Sequence, residues 1–185
     1  MNYATIKWTD IANGEGVRIS LFVSGCTHRC KNCFNEVAWD FTYGEPFDET
    51  VENRILDELA SDYIAGISLL GGEPLEPLNQ KALLPFLKKV KARYPEKTIW
   101  CYTGFVFDEK SGELRESNKN TECTKELIAL CDVLVDGAYI EELKDIRLKF
   151  RGSANQRVID VQKSLQQGEC VLYLNGIESK ICRLQ

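Results

Sequence analysis

Apolar residues along the chain change their period several times. In "RISLFVSGC", Ile19, Leu21 and Val23 alternate with Ser20, Phe22 and Ser24. Phe22 makes both faces partly apolar, which predicts a strand covered on both sides, as in a parallel sheet. In "DETVENRILDELASDY", Val51, Ile55, Leu56 and Leu59 fall on one helical face, and Asp48 is a candidate N-cap. "GISLLGGEP" reads as a short buried strand over 67–70 that ends in a Gly-Gly turn. "NQKALLPFLKKVKARYP" is helical by Leu83, Leu87, Val90 and Tyr94, with Pro85 expected in the first turns, where a missing N–H is tolerated. "TIWCYTG" predicts a third strand, "TKELIALC" a helix and "DVLVDGAY" a fourth strand.

Strands and helices therefore alternate, and alternation predicts an α/β fold with a parallel sheet and right-handed crossovers. A closed eight-fold barrel takes about 250 residues, so a chain of 185 residues has room for an incomplete one. One domain is expected over 1–185, with its core over about 13–157. The polar stretch "DEKSGELRESNKNTE", 108–122, reads as a long surface loop or insertion. The pattern weakens after Asp160, and 158–185 is a tail without an assigned element. In such sheets ligands gather at the carboxyl ends of the strands. The cysteine-bearing loop, "GGEP", "YTG" and "DGAY" each follow one strand, so four loops are expected to converge on one site.

Composition narrows the class. No apolar run is long enough to span a bilayer, and the N-terminus lacks the basic start and apolar core of a signal peptide. A cytoplasmic location is expected. Thiols are kept reduced there, so the eight cysteines read first as metal ligands, nucleophiles or small core residues. The net charge of −5 and the lack of a basic stripe argue against nucleic acid as the main partner.

Cys26, Cys30 and Cys33 stand at C-x3-C-x2-C spacing, and Gly25 lets the backbone approach closely. Zinc in a structural site prefers four protein ligands, and no second C-x-x-C exists. A ferredoxin-type cluster also takes a fourth cysteine. Cys101, Cys123, Cys131, Cys170 and Cys182 are isolated and read as core or surface residues. His28, the single histidine, is expected to cap the loop or face solvent. Its being alone excludes a Ser-His-Asp or Cys-His site elsewhere.

The spacing is the hallmark of the radical S-adenosylmethionine enzymes. The longer run "NGEGVRISLFVSGCTHRCKNCFN" resembles the signature of the activating enzymes for glycyl-radical proteins, with Gly14, Gly16, Arg18, Phe22, Gly25, the three cysteines and Asn35 all matching. "IWCYTGF", "LVDGAY" and "RGSANQR" resemble the branch whose partner is an anaerobic ribonucleoside-triphosphate reductase. The likeness covers about 13–157. It implies a partial parallel β/α barrel of the radical S-adenosylmethionine type. It also implies a 4Fe-4S cluster on Cys26, Cys30 and Cys33, one iron of which binds S-adenosylmethionine, and reduced flavodoxin as electron donor.

The resemblance further implies site roles. Gly71 and Gly72 meet the methionine amino group, and Glu73 closes the pocket. Asn32, Cys33 and Phe34 run beside the adenine. Thr103 meets the methionine or ribose end, and Asp136 accepts bonds from the ribose or supports the site. Arg151, Asn155, Gln156 and Arg157 close the cofactor site or meet the partner. Arg18 is expected to bind a carboxylate. Two other readings stay open on the sequence: a radical enzyme with a small substrate such as a nucleobase precursor, and a non-enzymatic metal or electron-transfer module.

Overall fold

The computed structural model describes residues 1–173. Cys182 and the last part of the expected tail lie outside them. A seven-stranded sheet forms the centre, in the order Glu45–Pro46, Asn2–Asp10, Val17–Val23, Ile64–Gly71, Thr98–Tyr102, Val133–Asp136, Arg157–Asp160. Its middle strands, β2 (Val17–Val23), β4 (Ile64–Gly71), β5 (Thr98–Tyr102) and β8 (Val133–Asp136), are parallel. These are the four strands the apolar pattern predicts, and the fold is a mixed α/β one with a largely parallel sheet.

The edges depart from the expectation. β1 (Asn2–Asp10) pairs antiparallel with β2, and β3 (Glu45–Pro46) pairs antiparallel with β1. At the other edge β9 (Arg157–Asp160) runs antiparallel to β8. Part of the unassigned tail is thus a sheet edge, and α4 (Val161–Gln167) follows it, capped by the Asp160 carboxylate.

Alternation along each strand divides the sheet into two faces. Ile19, Leu21, Ile67, Leu69, Ile99 and Leu134 are buried against α1 (Glu49–Leu59), α2 (Pro77–Arg93) and α3 (Thr124–Leu130) in the main core. Trp100, Val133, Val135 and Val158 form a smaller cluster, with Tyr102 and Phe150 packed on it. Asp48 caps α1 as expected, accepting from the Val51 N–H at 3.1 Å.

Three local expectations are corrected. Pro85 lies in the interior of α2, not in its first turns. It is exposed, so the carbonyl that loses its partner can turn to water. The stretch 108–122 is not a bare loop. β6 (Phe107–Asp108) and β7 (Glu113–Leu114) pair as a hairpin whose Phe107 and Leu114 are buried in the main core. Among the described residues Arg18 pairs with no carboxylate. It is 1% exposed and donates to Ser68 Oγ, Thr98 Oγ1 and the carbonyls of Ile67 and Thr98 at 2.7–2.8 Å. It tethers three strands, and burial lowers its pKa to about 10.

Candidate active site

The carboxyl ends of β2, β4, β5 and β8 share one edge of the sheet, and β9 begins there because it runs the other way. One cavity of about 520 Å³ opens at this edge. Its size is that of a small-molecule or cofactor site.

The cysteine loop forms one wall, and all three thiols line the cavity. Each ligand candidate follows a residue in the left-handed region: Gly25 (φ 94°), Arg29 (φ 49°) and Asn32 (φ 56°). The chain therefore turns sharply before every cysteine. The Asn35 N–H donates to the Cys33 sulfur at 3.4 Å. Such donors stabilise thiolate ligands and tune clusters. Burial nevertheless raises the Cys26 pKa to about 11 and that of Cys30 upward, so both need a cation to ionise them. Among the described residues no three His, Cys, Asp or Glu side chains are drawn close enough to hold a single metal ion. Three cysteines on one wrapped loop that lines one cavity are a donor set that fits an iron–sulfur cluster.

The "GGEP" turn lies against this loop. Gly72 N–H donates to the Val23 carbonyl at 2.7 Å and Glu73 N–H to that of Gly25 at 2.9 Å. The Glu73 carboxylate is 1% exposed and ties three loops together. It accepts from Leu75 N–H at 2.8 Å and Gly104 N–H at 2.7 Å, and it pairs with His28 Nε2 at 2.9 Å. His28 therefore neither caps the loop nor faces solvent. Its ring packs against Phe105 with centroids 4.3 Å apart and planes tilted by 50°. Burial lowers the His28 pKa, but the Glu73 hydrogen bond and charge, with Glu76 and Glu116 behind them, raise it overall.

Asn32, Phe34, Gly71, Gly72, Glu73 and Thr103 all line the cavity with the cysteines. Phe34 is 83% exposed at the mouth. Thr103 is held by its N–H to the Val135 carbonyl, and its hydroxyl accepts from Phe105 N–H. Asp136 is not a lining residue. It is buried and binds Arg157 Nε at 2.9 Å and Phe107 N–H at 2.8 Å. Of its two expected roles, its geometry is that of support, because both oxygens are engaged. Within "RGSANQR", Arg151 and Gln156 line the cavity. Gln156 accepts from the Gly152 and Ser153 N–H groups and donates to the Gly137 carbonyl. Asn155 donates to the Ala138 carbonyl. The segment is thus folded onto the loop after β8.

Sequence reasoning missed several residues here. Glu76 is buried and its carboxylate receives both the N–H and the hydroxyl of Thr27, one residue after Cys26. Lys119, from the supposed insertion, bonds to the same carboxylate. The "GGEPLE" spacing gave the one available signal, a second acid three residues after Glu73. Tyr102 and Trp39 also line the cavity, and the Tyr102 hydroxyl and Trp39 Nε1 are buried without a partner among the described residues. Buried polar atoms of that kind call for a ligand or water.

Comparison with known proteins agrees with the geometry. Residues 12–159 match the family described as a 4Fe-4S single cluster domain. The chain is 44% identical over 158 residues to the anaerobic ribonucleoside-triphosphate reductase-activating protein of Haemophilus influenzae, covering 84% of this chain and 96% of that one. The protein of the same name from Escherichia coli (strain K12) is 39% identical over 85% of this chain and 97% of its own. That from Enterobacteria phage T4 is 37% identical over 85% and 93%. Likeness of this degree, spread over nearly the whole of each relative, shows that the chain belongs to the family of anaerobic ribonucleoside-triphosphate reductase-activating proteins.

Proposed function

We propose that this chain is a radical S-adenosylmethionine oxidoreductase that activates an anaerobic ribonucleoside-triphosphate reductase by forming a glycyl radical on it. Family membership supports the activity. The observation that carries the reading is the single cavity shared by Cys26, Cys30, Cys33, the "GGEP" turn, Thr103 and Gly137. The open sheet with helices on one face is read as an incomplete barrel, and its uncovered mouth suits a protein loop better than a small substrate.

Cys26, Cys30 and Cys33 are the residues that would hold the 4Fe-4S cluster. A cluster held there would supply the single low-potential electron for reductive cleavage of S-adenosylmethionine, the chemistry by which hydrogen would be taken from a glycine of the partner. The chain's own work is placement. Gly71 and Gly72 let backbone come close to the methionine end. Glu73 fixes the loops after β2, β4 and β5 relative to one another through His28, Leu75 and Gly104. Asn32 and Phe34 border the adenine side. The Tyr102 hydroxyl and Trp39 Nε1 offer hydrogen bonds to a bound ligand inside a largely apolar cavity. Reduced flavodoxin is the proposed donor.

The test is anaerobic reconstitution with iron, sulfide, reductant, S-adenosylmethionine and the partner reductase. A glycyl radical signal by electron paramagnetic resonance is expected. Cleavage of S-adenosylmethionine with no such signal would overturn the activase reading.

A further inference from the structure

We propose that Lys119 is a positioning residue for the cysteine loop. Acting through Glu76 and Thr27, it cancels a buried negative charge beside Cys26 and so helps set the reduction potential of the cluster. The proposal rests on the reading of Cys26, Cys30 and Cys33 as cluster ligands.

Glu76 stands at the N-cap of α2, yet its side chain makes no capping bond. It is 2% exposed and turns to the cysteine loop instead. Oε1 accepts the Thr27 N–H at 3.0 Å and the Thr27 hydroxyl. Oε2 accepts from Lys119 Nζ at 2.9 Å, and the same ammonium donates to Thr27 Oγ1 at 2.9 Å. The three groups close a triangle in which every bond is charge-assisted or held by one that is.

Lys119 reaches the triangle on a fixed stem. Its carbonyl accepts from Gln80 Nε2 at 3.0 Å. Gln80 is buried on α2, and its Oε1 accepts from the hydroxyls of Thr121 and Thr124 at 2.6 Å each. The ammonium also lies 5.5 Å from the centre of the Phe105 ring, which packs against His28. The segment that reads as an insertion thus carries the one described cation bonded to Glu76. A buried carboxylate without its cation is strongly disfavoured. A negative charge near an iron centre also opposes the addition of an electron. The sign of each substitution follows from this.

The test uses the full chain, loaded anaerobically with iron and sulfide. Dithionite reduces it stepwise, each cluster taking one electron, and spin resonance follows the reduced form. Lys119→Met is expected to lower the midpoint potential and to slow S-adenosylmethionine cleavage about tenfold or more. Lys119→Arg is expected to keep the wild-type potential. Glu76→Gln should move it upward, and the double variant Lys119→Met/Glu76→Gln should return toward wild type. Midpoints unchanged in both Lys119→Met and Glu76→Gln overturn the proposal, even if both melt earlier, since the triangle is then only a folding strut. If Lys119→Met does not fold, Glu76→Gln decides alone: an upward shift supports the proposal and an unchanged one overturns it. A wild-type chain that takes up no iron overturns the ligand reading as well, which separates the two failures.

Discussion

Gly72 is needed for what lies beside it as much as for any ligand. A Cβ built there would stand 2.7 Å from the Gly25 carbonyl oxygen and 2.8 Å from that of Ala38. Both atoms are backbone of the cysteine loop and the turn after it, so neither can swing aside as a side chain would. Gly72→Ala should therefore push the loop off its seat. We expect iron to be lost to a chelator about tenfold faster or more, measured as the bleaching rate of the loaded protein. A rate equal to wild type would show that the loop does not need this contact. Asp136 makes the opposite case. Its carboxylate is buried against Arg157 and the Phe107 N–H, and breaking a buried pair by neutralising one partner costs about 3–5 kcal/mol. Asp136→Asn should lower stability by about that amount in a urea melt and leave S-adenosylmethionine affinity within about twofold. Unchanged stability with weakened cofactor binding would restore the ribose role expected from the sequence.

α2 continues through Pro85 because its buried side, Leu83, Leu84, Phe86, Leu87 and Val90, outweighs one lost backbone bond. An interior proline costs a helix about 3 kcal/mol relative to alanine. Part of that is offset because proline also restricts the unfolded chain. Pro85→Ala should therefore stabilise the protein by about 1–2 kcal/mol, seen as a raised Tm. A lowered Tm would mean that the proline has a packing role its exposure does not suggest. The same element shows what the sequence could disclose. The four parallel strands were legible because each carries a short apolar run, and Ile19, Ile67, Ile99 and Leu134 lie in the main core. β6 and β7 have two residues each, too short to show any period, and β9 carries only Val158 and Ile159 between Arg157 and Asp160. Such elements exist because a neighbour pairs with them. In the site, the cysteine spacing is local and was readable. Glu76, Lys119 and Gln80 are polar residues whose long-range partners lie 39 to 92 positions away, and only the fold brings them together.

The division of the molecule into two faces decides how it should behave without iron. The main core joins the sheet to all four helices, and none of its buried members comes from the loop 25–36. That loop is instead held by Glu73 and Glu76, two buried acids on the turn that leads into α2. A small domain whose core is a metal site unfolds when the metal leaves. This chain should not, because its apolar core and its loop anchors are both made of protein. Removing iron with a chelator under anaerobic conditions should leave the far-ultraviolet circular dichroism and the cooperative melt essentially intact. Hydrogen exchange should quicken only around 25–39, where each cysteine follows a left-handed residue and the thiols lose the cation that would keep them ionised. Protection in β4 and β5 should not change, since their bonds are to β2, β8 and each other. If chelation instead removed protection across the sheet, the cluster would be a keystone of folding, and the cavity would have to be understood as formed by the cluster, not prepared for it.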